Sequence, residues 1–441
     1  MRCERQFNMR NLLLRSLALV LMAPVAWGQI RLPTVPLQSK PLSALQAPVD
    51  TLASRALDTL SQVRLLQVKA LVRSNPRLID TDPRGNPIVR SEVLALGPSD
   101  ESVKLARALG FDVLRATNME SIELRLVVLG APEGMSTGKA LKTVRASDPG
   151  GVYDFNHIYM PSGDIAPQSS TQRETGEEPA QPILPTFRSA RIGLIDSGVD
   201  LHHAALADAH VHLWGCGNRA VPAEHGTAVA SLMVGHALKF DGVRPAAELF
   251  AADVYCGVAT GGAVDALSAG FAWLAQERVP VLNISLVGPS NVMLERVVAA
   301  LVARGFIIVA AVGNDGPAAA PLYPASYPHV VGVTGVDSHR RVLIEAARGP
   351  QVMFAAPGAD LVAASAGGGY ASVRGTSFAA PIVTALLAPE LSRPDIALAS
   401  SALEALTKSA LKVGKPGRDL TYGFGIVGLE YRNDPSFLVR P

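Results

Sequence analysis

The second half of the chain alternates between short apolar runs and Ala-rich segments that are long enough to form helices. Several runs are apolar throughout, which is typical of parallel strands covered by helices on both faces. The runs are Ile192–Ile195, Glu248–Val254, Val279–Ile284, Phe306–Ala311 and Val330–Val333. This pattern predicts an α/β domain with a doubly wound, mostly parallel sheet over residues 188–441.

Residues 87–160 show a different pattern, in which predicted strands and helices follow the order βαββαβ. This is the order of a small α+β ferredoxin-like unit, although many unrelated domains share it. The predicted strands are Ile88–Ala95, Asp112–Ala116, Ile122–Val128 and Val152–Phe155, and helices begin near Pro98 and Ser136. An N-terminal extension, residues 29–86, precedes the unit, and apolar residues at helical spacing predict an amphipathic helix over residues 51–74.

Two further segments differ in composition from these units: one separates the two units, and the other begins the chain. Residues 161–187 are rich in Pro, Ser, Gln and Glu and have no apolar period, which predicts a linker. Residues 1–28 combine four arginines with a short apolar run and small residues near its end, which is typical of a secretory signal peptide. A membrane anchor is the alternative, but the run is too short to span a bilayer. We therefore expect a secreted or periplasmic protein.

Four polar residues stand where predicted strands end or predicted helices begin. Asp196 ends the first strand of the α/β domain, and Asn314 follows a buried strand. His225 and Ser377 each precede an apolar run of helical character. Each residue alone has an ordinary structural explanation as a cap, a turn residue or a buried polar group. Together they supply a nucleophile, a base and a carboxylate that could orient the base.

The segments around these residues resemble the four hallmark blocks of subtilisin-like serine peptidases, the S8 or subtilase family. The segments are IDSGVD, HGTAVAS, AAVGNDG and GTSFAAP, and the resemblance covers about residues 188–435. The order Asp, His, Ser is also that of subtilisin. The resemblance implies that Ser377 is the nucleophile, that His225 is its general base and that Asp196 orients the base. It also implies that Asn314 donates a hydrogen bond to the oxyanion.

Subtilases are usually made with a ferredoxin-like propeptide that assists folding and then occupies the active site. The resemblance therefore implies that residues 87–160 are an inhibitor unit and that the chain cuts itself within residues 157–187. A parallel sheet depends on non-local contacts and folds slowly, which is a physical reason for a folding template. We expect a monomeric, self-processing zymogen that acts on peptide or protein substrates. The formal net charge of +2 gives no reason to expect a nucleic-acid or membrane partner.

The predicted substrate cleft departs from the family pattern. Val287 and Leu322 stand where the family usually has Gly, and Leu322 resembles the floor of the pocket for P1, the residue before the scissile bond. Both changes predict a preference for small or modest P1 side chains. The predicted substrate-binding residues are Ser285, Leu286, Val287, Gly261, Gly262 and Leu322.

Two cysteines remain after a signal peptide carrying Cys3 is removed, namely Cys216 and Cys256. In the resembling fold, the strands before them are parallel neighbours, so both residues follow carboxyl ends at one edge of the sheet. We predict a disulfide, which an oxidising compartment allows, with two free buried thiols as the alternative.

No metal site and no cofactor are predicted. The family's N-terminal calcium-binding segment is replaced here by the polar linker, so the resemblance transfers no calcium site. Asp208, Asp241 and Asp253 are scattered along the chain and are interpreted as surface carboxylates.

Two other functions stay open at this stage. The first is a catalytically weak or silent binding or chaperone protein on the same fold, which Val287 in the cleft keeps possible. The second is an esterase, but that enzyme class needs a Gly-x-Ser-x-Gly elbow, and the residues around Ser377 do not form one.

Overall fold

The computed structural model describes residues 64–166 and 190–438. The predicted signal peptide, residues 29–63 of the extension and residues 167–187 of the predicted linker lie outside the described residues. Within the described ranges, no helix has both the length and the apolar character needed to cross a membrane.

The N-terminal part of the described chain contains an antiparallel sheet. Its elements are helix α1 (residues 64–74), β1 (Ile79–Thr81), β2 (Pro87–Leu96), α2 (Asp100–Ala108), β3 (Asp112–Met119), β4 (Leu124–Gly130), α3 (Thr137–Ser147) and β5 (Val152–His157). Four strands lie in the order β5-β2-β4-β3, and β1 pairs with the start of β2. This order is the ferredoxin-like arrangement. Residues Glu120–Ile122, however, form a 3₁₀ turn, so Ile122 is not in the strand that was predicted to begin there.

Local sequence explains where these elements begin. Ser99 and Ser136 cap α2 and α3, because their hydroxyls accept hydrogen bonds from Ser102 N and Lys139 N at 3.0 and 3.4 Å. In β2, alternate residues face opposite sides of the sheet. Val93 packs with α2 and α3, whereas its neighbour Leu94 belongs to a core shared with the C-terminal half of the chain. Both faces of this small sheet are therefore covered.

A second sheet of seven parallel strands forms the centre of the C-terminal half. The elements after β5 are β6 (Met160–Pro161), β7 (Asp164–Ile165), β8 (Arg191–Asp196), β9 (Val211–Trp214), α4 (Glu224–Val234), β10 (His236–Ala237), β11 (Phe240–Asp241), β12 (Glu248–Asp253), α5 (Val264–Gln276), β13 (Val281–Ile284), β14 (Leu286–Val287), α6 (Val292–Val302), β15 (Ile307–Ala311), β16 (Val331–Val336), β17 (Val352–Pro357), β18 (Leu361–Ala364), β19 (Tyr370–Arg374), α7 (Thr376–Leu387) and α8 (Ile396–Ser409). The strand order is β17-β16-β15-β13-β8-β12-β9.

Helices cover both faces of the parallel sheet, which confirms the predicted doubly wound architecture. Leu194 faces a core that contains α4 and α7, whereas Ile195 faces a core that contains α5 and α6. Both residues are almost fully buried, as their apolar character predicted. The predicted strands all appear within a few residues of their observed bounds, but the sequence pattern did not identify the edge strand β17.

Cys216 and Cys256 follow β9 and β12, which are parallel neighbours, and their sulfur atoms are bonded at 2.09 Å. Asp253 lies beside them, with its carboxylate accepting hydrogen bonds from Tyr255 N and Cys256 N, each at 2.9 Å. Asp253 is buried, so its interpretation as a surface carboxylate was wrong. Burial raises the pKa of this carboxyl, and the nearby charge of Asp196 adds to the effect.

We predict that replacing both cysteines, Cys216→Ser with Cys256→Ser, lowers the free energy of unfolding. The bond joins residues 40 positions apart, and the chain-entropy model gives about 4 kcal/mol for a loop of that length. Urea unfolding with and without reductant measures the effect, since reductant should destabilise only the unsubstituted chain. Equal stability of the variant and the oxidised protein would contradict the prediction.

Candidate active site

Asp196 and His225 meet at the carboxyl edge of the parallel sheet. Asp196 is the last residue of β8, and His225 is the second residue of α4. Nδ1 of His225 lies 2.8 and 3.0 Å from the two carboxylate oxygens of Asp196. Asp196 is fully buried, and Ser197 N donates to its Oδ1 at 2.7 Å. The carboxylate is therefore fixed in place and can hold His225 with Nε2 facing away from it.

Ser377 lies at the second position of α7, where backbone N–H groups and the helix dipole favour negative charge. Its carbonyl oxygen accepts a hydrogen bond from the Ser285 hydroxyl at 2.8 Å. Its Oγ lies 3.0 Å from Ser285 O and 2.5 Å from Ser162 O. Within the described parts of the chain, His225 Nε2 is buried and has no hydrogen-bond partner.

The carbonyl oxygen of Ser162 lies between two N–H donors. Asn314 Nδ2 donates to it at 2.7 Å, and Ser377 N donates at 3.3 Å. The amide of Asn314 is oriented by its other end, because Oδ1 accepts from Thr376 N at 3.1 Å. Two donors converging on one carbonyl oxygen beside a serine hydroxyl form the arrangement that stabilises a tetrahedral oxyanion.

Residues 158–165 cross this site as an extended segment rather than as the start of a linker. On one side, β6 pairs antiparallel with β14, so that Pro161 faces Leu286 and Met160 faces Val287. Tyr159 N donates to Gly262 O at 2.8 Å on the opposite edge. Beyond Ser162, β7 pairs antiparallel with β19. The segment is thus held through backbone hydrogen bonds on both edges, by β14 on one side and by Gly262 on the other, as an extended peptide would be.

Tyr159 occupies a closed pocket three residues before Ser162. Its side chain is fully buried, and its hydroxyl donates to Pro289 O at 2.5 Å. A Cβ at Gly288 would lie 2.7 Å from the Tyr159 ring, so only Gly leaves room for the ring there. Tyr255 also contacts the segment, because its hydroxyl donates to Tyr159 O at 2.6 Å. Burial raises the pKa of Tyr159 well above its ordinary value, so the hydroxyl remains a donor.

Helix α1 reaches the same cleft from the N-terminal extension. Arg64 Nη2 donates to Val287 O at 3.3 Å, and Arg64 Nε lies 3.5 Å from the Asp315 carboxylate. Both side chains line a cavity beside Ser162. Burial raises the pKa of Asp315, and the charge of Arg64 opposes this shift. The extension therefore contributes a charged contact next to the oxyanion donors.

The structure brings together most of the residues that the sequence singled out for the cleft. Leu286 and Val287 pair with the bound segment, and Ser285 supports Ser377. Gly262 contacts Tyr159, and a Cβ at Gly261 would clash with Tyr255 behind it. Leu322 packs against Gly313, next to Asn314, and is not among the residues around the cavity beside Ser162.

Sequence reasoning implied self-cleavage within residues 157–187 but did not name the residues that occupy or close the cleft. They are Tyr159, Met160, Pro161, Ser162, Gly163, Gly375, Phe378 and Arg64. One signal was available: an aromatic and apolar pair, Tyr159-Met160, directly precedes small residues where the polar linker was predicted to begin.

The N-terminal sheet packs on helices α5 and α6 of the C-terminal half. Asn291 caps α6, since its Oδ1 accepts from Met293 N at 3.0 Å. Its Nδ2 lies 2.9 Å from both Phe155 O and His157 Nδ1 of β5. One amide therefore stabilises the start of α6 and the contact between α6 and strand β5 of the N-terminal sheet.

Comparison with known proteins gives the family. The Peptidase_S8 model, described as the subtilase family, matches residues 188–425, more than half of the chain. The chain belongs to the subtilase family. This subtilase is 28% identical over 308 residues to subtilisin amylosacchariticus from Bacillus subtilis subsp. amylosacchariticus and to subtilisin E from Bacillus subtilis (strain 168). Each alignment covers 66% of this chain and 77% of the relative.

Among solved structures, this subtilase is similar to fervidolysin from Fervidobacterium pennivorans, a keratinolytic enzyme related to subtilisin. The TM-score is 0.63 at 21% identity, and the alignment covers 80% of this chain and 61% of fervidolysin. At this identity the likeness supports the fold. Family membership and the subtilisin relatives make the chain a subtilisin-like serine endopeptidase.

We predict that Asn291→Asp and Asn291→Ala separate the two roles of this residue. Aspartate keeps the cap acceptor for α6 but loses the hydrogen bonds that Nδ2 donates to Phe155 O and His157 Nδ1, at a cost of about 1–3 kcal/mol. Alanine also loses the cap, at a further cost of about 1 kcal/mol. Urea unfolding of the full Ser377→Ala chain measures both. If the Asp variant were as stable as its parent, Asn291 would not stabilise the contact between α6 and β5.

Proposed function

We propose that this subtilase is an exported, self-processing endopeptidase that uses Ser377, His225 and Asp196 and cuts its own chain between Ser162 and Gly163. The observation that carries the proposal is the Ser162 carbonyl oxygen, held by Asn314 Nδ2 at 2.7 Å with Ser377 Oγ at 2.5 Å. The bond lies within residues 157–187, the region in which the resemblance to subtilases implies self-cleavage.

In the proposed reaction, Ser377 Oγ attacks the carbonyl carbon of Ser162 and its proton passes to His225 Nε2. Asp196 stabilises the imidazolium that forms. The negative charge moves onto Ser162 O, where Asn314 Nδ2 and Ser377 N donate to it. The C–N bond then breaks, and His225 returns the proton to the amine of Gly163. Water, activated by the same histidine, hydrolyses the acyl-enzyme.

The part of the chain before Gly163, which contains the N-terminal sheet, would remain bound as an inhibitor after this cut. Its last residues fill the cleft, and Ser377 is fully buried beneath them. Tyr159 and the pairing of β6 with β14 are substrate-like contacts that the cut leaves in place. Arg64 would add a further contact at the cleft through Val287 O.

A small P1 residue fits the proposed cleft. Ser162 stands at P1 and is buried, and Val287 lines the same cavity as Ser162. Val287 also forms the backbone pair with Met160, so its side chain is held in position by the strand. We expect peptides with P1 Ala or Ser to be cut faster than peptides with P1 Phe.

We predict that the unsubstituted chain yields a fragment beginning at Gly163 and that its Ser377 reacts with a fluorophosphonate. Ser377→Ala should remain uncut and unlabelled, because no nucleophile is present. Intact mass, N-terminal sequencing and labelling measure these outcomes. Ser401→Ala, at an exposed position of α8, is the matched control and should behave like the unsubstituted chain. Labelling that survives Ser377→Ala would reject the nucleophile.

We predict a slower cut in Asn314→Ala, since this change removes one of the two oxyanion donors. The expected loss is about 10²–10³ in turnover, a magnitude that was measured in subtilisin itself. The rate of appearance of the Gly163 fragment measures it. A variant that processes at the unsubstituted rate would contradict the oxyanion role.

A further inference from the structure

The position directly after the proposed scissile bond has no room for a side chain. A Cβ built on Gly163 would lie 2.7 Å from Cε2 of Phe378 and 3.3 Å from both Phe378 Cζ and Arg374 O. Carbon atoms normally approach one another to about 3.5–4.0 Å. Gly163 does not have a positive φ, unlike many other glycines of the chain. Space, and not backbone conformation, therefore requires glycine at this position.

The Phe378 ring has little freedom to move away. Phe378 follows Ser377 in α7, is fully buried and belongs to the main core of the parallel sheet. Its ring centroid lies 5.6 Å from that of His225. Rotating the ring away from Gly163 would press it into the packed core or toward the base. Overpacking of this kind is costly because protein interiors are close-packed.

The bound chain is equally unable to retreat from the ring. Beyond Gly163, Asp164 pairs with Arg374, and Ala166 N donates to Ser372 O at 2.9 Å. Before it, the Ser162 carbonyl is held by Asn314. On the other side, a Cβ at Gly375 would lie 2.7 Å from Gly163 Cα. Gly163 is thus bordered by Phe378 and the end of β19 on the side that a Cβ would face, and by Gly375 on the other side.

We propose that Phe378 makes this endopeptidase selective for glycine at P1′, the residue that follows the scissile bond, in its own chain and in other substrates. The inference rests on the proposed function, because it takes residues 159–165 as a substrate-like segment. It narrows the substrate class to peptides that carry a small residue followed by glycine, as in Ser162–Gly163. Phe378 is then a specificity-determining residue next to the nucleophile.

The test compares two quenched peptides that span residues 157–168, one with the natural Gly at position 163 and one with Ala. The self-processed enzyme is titrated with fluorophosphonate so that rates refer to active sites. We expect kcat/KM for the Gly peptide to exceed that for the Ala peptide by about tenfold or more, the scale of forcing a methyl group into a packed site. A difference below about threefold would overturn the inference.

Variants of the full chain test the cause. Gly163→Ala should slow self-processing by a similar factor, whereas Gly138→Ala should not, since a Cβ at Gly138 meets nothing within 4 Å. Phe378→Ala, or Phe378→Leu if the alanine variant does not fold, should bring the two peptide rates within about threefold of each other. Preference for Gly that persists in a folded, labelled Phe378 variant would show that Phe378 does not set it and would overturn the inference.

The outcomes also separate this inference from the proposed function. If Ser377 is labelled and both peptides are cut equally, only the glycine preference fails. If Ser377 is labelled and neither peptide is cut, Ser162–Gly163 is not an acceptable bond and the inference falls with that assignment. If Ser377 does not label and nothing is cut, the proposed function itself fails.

Discussion

Parallel pairing of β8 with its two neighbours is the constraint on which the site depends. In register, Asp196 lies opposite Asp253 of β12, and Ile195 lies opposite Ile284 of β13. The carboxyl ends of these strands therefore meet at one edge, where the chain must leave the sheet. Helices α4 and α7 pack on the same face and deliver His225 and Ser377 to that edge. A shift of one residue in the register of β8 would turn the Asp196 side chain to the other face of the sheet.

The two halves of the described chain share a hydrophobic core. The face of the N-terminal sheet that carries Leu94 and Leu126 packs with Phe271 of α5 and Leu294 of α6. Arg115 adds a bidentate contact to Glu92 and a 2.6 Å contact to Asp265 at the start of α5. These contacts join residues far apart in sequence, which makes them slow to form but mutually supporting once formed. These contacts anchor the N-terminal sheet, which continues into the bound segment at Ser162.

Local patterns predicted much of the fold and part of the site. Short, mostly apolar runs identified five of the seven parallel strands, and four short segments pointed to Asp196, His225, Asn314 and Ser377 as candidate site residues. These patterns did not identify which residues enter the cleft, because the pairing of Met160 with Val287 joins residues 127 positions apart in numbering. The contact of Arg64 with Asp315 is similarly non-local. Asp253 was misjudged because sequence alone does not show that the disulfide and two backbone N–H groups surround it.

The two sides of the Ser162–Gly163 bond are held very unequally. The acyl side continues into the whole N-terminal sheet and is fixed by Tyr159 and β6, whereas the amine side is held by the two-residue strand β7. If the chain is cut as proposed, the amine side stays covalently joined to the C-terminal half but can leave the cleft, while the acyl side stays as a bound product. Such a cut would also end the covalent tether that keeps the N-terminal sheet at high local concentration. The delay before other peptides enter the cleft would then be governed by the rate at which the N-terminal sheet dissociates.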